Sequence, residues 1–217
     1  MNTRALKLGG KRKPIVVANW KMNPQSLREA KALFNRVKKT NAIICPPSVY
    51  LSELKAKGAQ DCFLKKRGAF TGEISPLMLK NLGVKYVIIG HSERRKYQKE
   101  TKALINRKLK AALKVGLKPI LCIDKISQIP KDIKNLIIAY EPLSAIGNGK
   151  PLSIEKAKKM RYLIKKKTKN LPLLYGGSVT FKNAGDYIKK AGFQGLLVGG
   201  ASLKPNEFVK IIEAVRG

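Results

Sequence analysis

From Ile15 onward, short apolar runs alternate with longer segments in which apolar positions recur every three or four residues. A run of apolar residues without polar alternation is what a strand buried on both faces requires, and a helical period after each run makes the pair a βα unit. Strands are predicted at Ile15–Asn19, Ala42–Cys45, Ala59–Phe63, Tyr86–Gly90, Lys118–Ile123, Leu136–Tyr140, Leu171–Tyr175 and Gly195–Val198. Helices are predicted at 25–39, 75–82, 100–115, 153–168, 182–191 and 205–215. Eight such units close naturally into a (β/α)8 barrel, usually of ~250 residues and with a lower limit near ~200. At 217 residues this chain is a shortened barrel. The economy falls between Ile123 and Leu136, where the connection barely reaches the length of a crossover and contains Pro130, so the fifth helix is truncated to a turn or two. In the helix after Ser153, Ile154, Ala157, Met160, Leu163 and Ile164 fall on one side, while Lys156, Lys158, Lys159, Lys165, Lys166 and Lys167 face away as a solvated surface. Residues 1–13 are basic, lack acids and contain Gly9-Gly10, which reads as a flexible tail ahead of a single domain over 14–217.

Composition narrows the class without fixing it. With 44% hydrophobic residues the chain can build a sizeable core. No apolar stretch approaches the ~20 residues that cross a bilayer, and no signal segment opens the chain, which disfavours membrane and secreted classes. Cys45, Cys62 and Cys122 are widely spaced and odd in number, the usage of reduced thiols in a cytoplasmic protein, and they imply neither a disulfide framework nor a metal site. The formal charge of +33 attracts phosphate-bearing partners of any size. Because lysines populate every segment, the excess reads as a generally cationic surface and not as a dedicated nucleic-acid patch.

The chemistry-bearing residues gather where predicted strands end, the face that carries the site in such barrels. Asn19-Trp20-Lys21 follows the first strand, and a lone lysine there is either solvated or aimed at a site. Gly90-His91-Ser92-Glu93 follows the fourth and holds the only histidine, placed after the apolar Val87-Ile88-Ile89. Glu141 ends the sixth. It is either a desolvated general base or half of an ion pair with a nearby Lys or Arg. The loop after it, stiffened by Pro142 and carrying Gly147 and Gly149, has the make-up of a lid that excludes water. Gly176-Gly177-Ser178 and Gly199-Gly200 follow the last two strands, where paired glycines either make turns or let backbone N–H groups approach a phosphate.

Taken together, the segments 19–23, 68–75, 87–95, 139–150, 174–179 and 197–205 resemble the triosephosphate isomerase family in order along nearly the whole chain. The resemblance implies a TIM barrel that interconverts dihydroxyacetone phosphate and D-glyceraldehyde 3-phosphate in glycolysis or gluconeogenesis. By resemblance, Glu141 is the base, neutral His91 the electrophile and Lys21, helped by Asn19, the electrostatic stabiliser of the enediolate. Ser178, Gly199, Gly200 and Gly147 would hold the phosphate, with Glu93 and Ser92 in support. It further implies a homodimer in which Thr71 reaches the partner's site and no metal or organic cofactor, while the spread of charge and the lack of a long apolar stretch argue against a specific nucleic-acid partner and a membrane. The chain departs from the family pattern at Ser144, where tryptophan is common, at Asn148, where threonine is frequent, and at Asp124-Lys125, where Gly-Glu is common. These departures bear on lid packing and stability more than on the proton path.

Overall fold

The computed structural model describes residues 13–132, 134–145 and 150–216, so all of the predicted basic tail except Lys13 lies outside the described residues. Among these are eight strands: β1 Ile15–Asn19, β2 Ile43–Cys45, β3 Gly58–Ala59, β4 Tyr86–Ile89, β5 Lys118–Ile123, β6 Ile137–Tyr140, β7 Leu173–Tyr175 and β8 Gly195–Val198. All neighbouring pairs are parallel in the order β2-β1-β8-β7-β6-β5-β4-β3. The two ends of this order curl together. A Cβ on Gly58 would stand 2.9 Å from the Ile44 carbonyl oxygen, so glycine is what lets β3 close against β2. The expected (β/α)8 barrel is the observed fold.

Side chains alternate across each strand. Val17, Ile88, Ile120, Ile137, Leu174 and Leu197 point into the barrel, while the residues between them pack outward against the helices. Each fully buried branched side chain contributes roughly 1.5–3 kcal/mol. Around the sheet lie α1 Leu27–Val37, α2 Leu51–Leu54, α3 Pro76–Asn81, α4 Ser92–Tyr97, α5 Lys102–Lys114, α6 Ile154–Thr168, α7 Ala184–Lys189 and α8 Pro205–Arg216. Their starts are written in the sequence: Ser26 and Glu29 form a reciprocal capping box on α1, and Ser75, Thr101 and Ser153 cap α3, α5 and α6. Such caps contribute about 1 kcal/mol each.

Three local features differ from the sequence pattern. The third strand, expected over 59–63, pairs only at Gly58–Ala59, because Gln60 turns its amide to the carbonyls of Lys21 and Cys45 at 2.8 and 2.9 Å and Asp61 turns into a charge cluster. Helix α4 has no apolar period and was not expected. On α6, Leu163 is exposed, whereas Lys165 is half-buried and bonds the Leu171 carbonyl. The predicted loss of the fifth helix is observed: a single turn at Ile126–Gln128 stands in its place. Lys102 from α5 and Lys167 from α6 donate to the carbonyls of Ser127 and Ile126, supplying donors that a helix would have provided.

One buried charge cluster anchors this half of the barrel. Lys108, 3% exposed, lies 2.6 Å from both Asp61 and Glu100, and Arg94 Nε donates to Glu100 at 2.7 Å with Asp61 at 3.0 Å. Burial pushes the Asp61 carboxyl up to about 6, ahead of the opposing pull of Lys108 and Arg94. Glu100 is held low by its bonds from Lys108 and Arg94 in spite of burial. Between the unfolded value of about 3.9 and its folded value, Asp61 binds more protons in the native state, so its contribution to stability falls as pH rises through that window. Asp61→Asn is therefore expected to gain stability relative to the parent protein on going from acid to neutral pH. Urea unfolding of both proteins checks this, and a pH-independent difference would contradict it.

Candidate active site

The barrel delivers five strand ends to one cavity of about 440 Å³, lined by Asn19, Lys21, His91, Glu141, Gly176-Gly177-Ser178 and Gly199-Gly200 among others. At the end of β1, Asn19 is buried and its Oδ1 accepts the Lys21 N–H at 3.0 Å. Lys21 sits in the left-handed region at φ 54°, which costs a non-glycine residue about 1–3 kcal/mol and persists only where neighbours over-determine it. Here the Asn19 side chain holds its N–H and the Gln60 amide holds its carbonyl. The ammonium that results is aimed inward and lies 2.5 Å from Glu93 Oε1.

Past β4, Gly90 turns the chain at φ 70° and places His91 as the N-cap of α4. The first amides of a helix lack intrahelical partners. That of Glu93 donates to His91 Nδ1 at 3.2 Å, and that of Ser92 donates to Glu141 Oε2 at 2.9 Å. With Nδ1 acting as acceptor, the ring proton of a neutral imidazole sits on Nε2, which lies 2.9 Å from Glu141 Oε1. Glu141 is 2% exposed and its own N–H is tied to the Ile123 carbonyl. Both of its oxygens therefore meet the His91–Ser92 turn. Among the described residues no lysine or arginine lies within ion-pair distance of Glu141, which leaves the carboxylate available to a substrate. The Ser92 hydroxyl is buried beside it without a partner.

The opposite wall is backbone. A Cβ on Gly176 would stand 3.2 Å from Glu141 Cγ and 3.3 Å from the Tyr140 carbonyl oxygen, so the backbone here packs closely against the carboxylate side chain. Ser178 lines the cavity, and both its N–H and its hydroxyl donate to the Ala145 carbonyl at 2.8 Å. Gly199 and Gly200 open a short turn at 200–203, and Gly200 faces open space. Gly147 and Asn148 lie outside the described residues. Thr71 is not among the cavity's lining residues; it is exposed on a loop closed at its base by the Phe63 N–H to the Ile74 carbonyl. Sequence reasoning missed Gln60 as the clamp on Lys21, and it missed α4, whose signal was only a polar turn after an apolar run. Among the described residues no group of three His, Cys, Asp or Glu residues is placed to hold a metal.

The chain is similar in sequence to known proteins. A family model described as triosephosphate isomerase matches residues 14–131 and 125–215. The two stretches meet at the shortened connection between β5 and β6. The triosephosphate isomerase of Thermoanaerobacter pseudethanolicus is 39% identical over 245 aligned residues, covering 93% of this chain and 99% of the relative. That of Alkaliphilus oremlandii is 39% identical over 246, with the same coverage, and that of Clostridium tetani is 37% identical over 247, covering 94% and 97%. These alignments are longer than the 217-residue chain, so it lacks segments that the relatives carry.

The single histidine allows a direct check of the imidazole. Its nitrogen-15 spectrum at neutral pH is expected to show a protonated Nε2 and a bare Nδ1, and a protonated Nδ1 would contradict the geometry.

Proposed function

The chain belongs to the triosephosphate isomerase family, and from that premise we propose that it interconverts dihydroxyacetone phosphate and D-glyceraldehyde 3-phosphate through an enediolate. The observation that carries this reading is the pairing of Glu141 with the Nε2–H of His91 in one cavity with Lys21. In the proposed reaction the Glu141 carboxylate exchanges its contacts with Ser92 and His91 for the substrate and removes the proton from the carbon beside the carbonyl. The electron pair of that C–H bond moves to the carbonyl oxygen. The developing oxyanion receives the hydrogen bond of His91 Nε2–H and the charge of Lys21, groups already aimed before any charge forms. His91 relays the hydroxyl proton of the first carbon to that oxygen, and return of the proton from Glu141 to the neighbouring carbon leaves a carbonyl on the first carbon and a hydroxyl on the second, with no atom gained or lost. Low solvent access favours each of these interactions over those in water.

The phosphate is assigned to the backbone of Ser178, Gly199 and Gly200, with Gly147 joining by resemblance. Binding there requires the donors of Ser178 to leave Ala145 or share it. Glu93 orients Lys21 through their contact, and Ser92 holds the resting carboxylate. Residues 14–217 act as one catalytic domain. Three buried free thiols support a reducing, cytoplasmic setting, and among the described residues no helix is long and apolar enough to cross a membrane.

The reading also includes a homodimer. Met22, Phe70 and Tyr97 are exposed, and a cavity of about 270 Å³ beside Lys21 is walled by Met22, Gln60, Arg94 and Tyr97. A partner's loop carrying Phe70 and Thr71 is suited to fill such a space, since solvent-exposed apolar groups of this size mark contact surfaces.

The activity is tested by interconversion of the two triose phosphates. Wild-type turnover is expected, with kcat reduced by about 10³-fold or more in Lys21→Ala and in Glu141→Ala while circular dichroism stays unchanged, because each group acts mainly in the transition state. Full activity in either variant would remove that residue from the mechanism. Sedimentation is expected to give about twice the chain mass of 24.0 kDa, falling to a single chain in Phe70→Asp. A monomeric parent protein would contradict the dimer.

A further inference from the structure

We propose that Arg95 is a positioning residue for the proton transfer, its guanidinium tying the ends of β4 and β5 together so that His91 and Glu141 stay in register. The inference rests on the isomerase reading above. The ladder between these strands stops at Ile89 opposite Leu121, while β5 continues to Ile123. Arg95 fills the gap. Its Nε donates to the Gly90 carbonyl at 2.7 Å and its Nη2 donates to the Cys122 carbonyl at 2.9 Å.

Both anchor points lie next to the chemistry. Gly90 directly precedes His91, and Cys122 directly precedes Ile123, whose carbonyl holds the backbone of Glu141. A planar fork spanning two carbonyls fixes the distance between them in a way that a point charge on a flexible stem does not. The chain makes room for it: a Cβ on Gly90 would stand 2.9 Å from Nη2 and 3.0 Å from Ile105 Cδ1.

The test compares the parent protein, Arg95→Met and Arg95→Lys, each checked for folding by circular dichroism, in steady-state isomerisation and in the nitrogen-15 spectrum of His91. For Arg95→Met, kcat is expected to fall about 10- to 100-fold with KM changed less than about threefold, as for a base displaced by a fraction of an ångström. For Arg95→Lys, kcat falls about tenfold, since an ammonium keeps the charge and loses the fork. Unchanged kcat in Arg95→Met overturns the proposal. If Arg95→Met does not fold, wild-type kcat in Arg95→Lys overturns it. A parent protein without turnover overturns the isomerase reading instead. The spectrum then decides the role of Arg95: altered Nε2 resonances in the variants support it, and spectra identical to the parent's overturn it.

Discussion

Two amide donors at the start of a six-residue helix organise the site. The N–H groups of Ser92 and Glu93 have no partners within α4, and they are given to Glu141 and to His91. One bond fixes which nitrogen of the imidazole carries the proton, and the other fixes where the carboxylate rests. The proposed acid-base pair thus inherits its geometry from backbone, which cannot adopt alternative rotamers. The third group, Lys21, reaches the same helix through Glu93.

Side chains of that short helix hold it in place. It is too short to be stable alone, since isolated helices need about 12–15 residues to persist. Its two arginines do the anchoring: Arg94 enters the buried cluster of Asp61, Glu100 and Lys108, and Arg95 bridges two strand-end carbonyls. A buried cluster of this kind is weak evidence of net stability, because desolvation offsets most of the attraction. Its value lies in direction. Ionic and forked hydrogen bonds tolerate little displacement, and so they set where α4 begins. The same logic appears at Lys21, where a left-handed backbone is clamped from both sides.

Much of the barrel was legible in the sequence, because buried parallel strands produce unbroken apolar runs and caps such as Ser26, Thr101 and Ser153 punctuate the helices between them. The shortened fifth unit was legible for the same reason, through its length and Pro130. What pattern could not supply were the elements stabilised by single polar contacts. Helix α4 has no apolar face, β3 ends after two residues because Gln60 and Asp61 are drawn elsewhere, and Lys165 bends back to a carbonyl where period alone places it in solvent. Among candidate site residues, Asn19, Lys21, His91, Glu141, Ser178, Gly199 and Gly200 converge on one cavity, as strand-end placement in a barrel dictates. The choice for Glu141 between a general base and an ion pair depended on a three-dimensional fact, the absence of a contacting cation among the described residues.

The central claim is that a carboxylate on the end of β6 moves a proton through an enediolate. The most direct measurement is isomerisation of glyceraldehyde 3-phosphate in heavy water, with the product analysed for deuterium. A proton held by a carboxylate exchanges with solvent, so deuterium is expected in dihydroxyacetone phosphate at the carbon that receives it. Turnover that yields product free of deuterium would mean a direct hydride shift and would contradict the account.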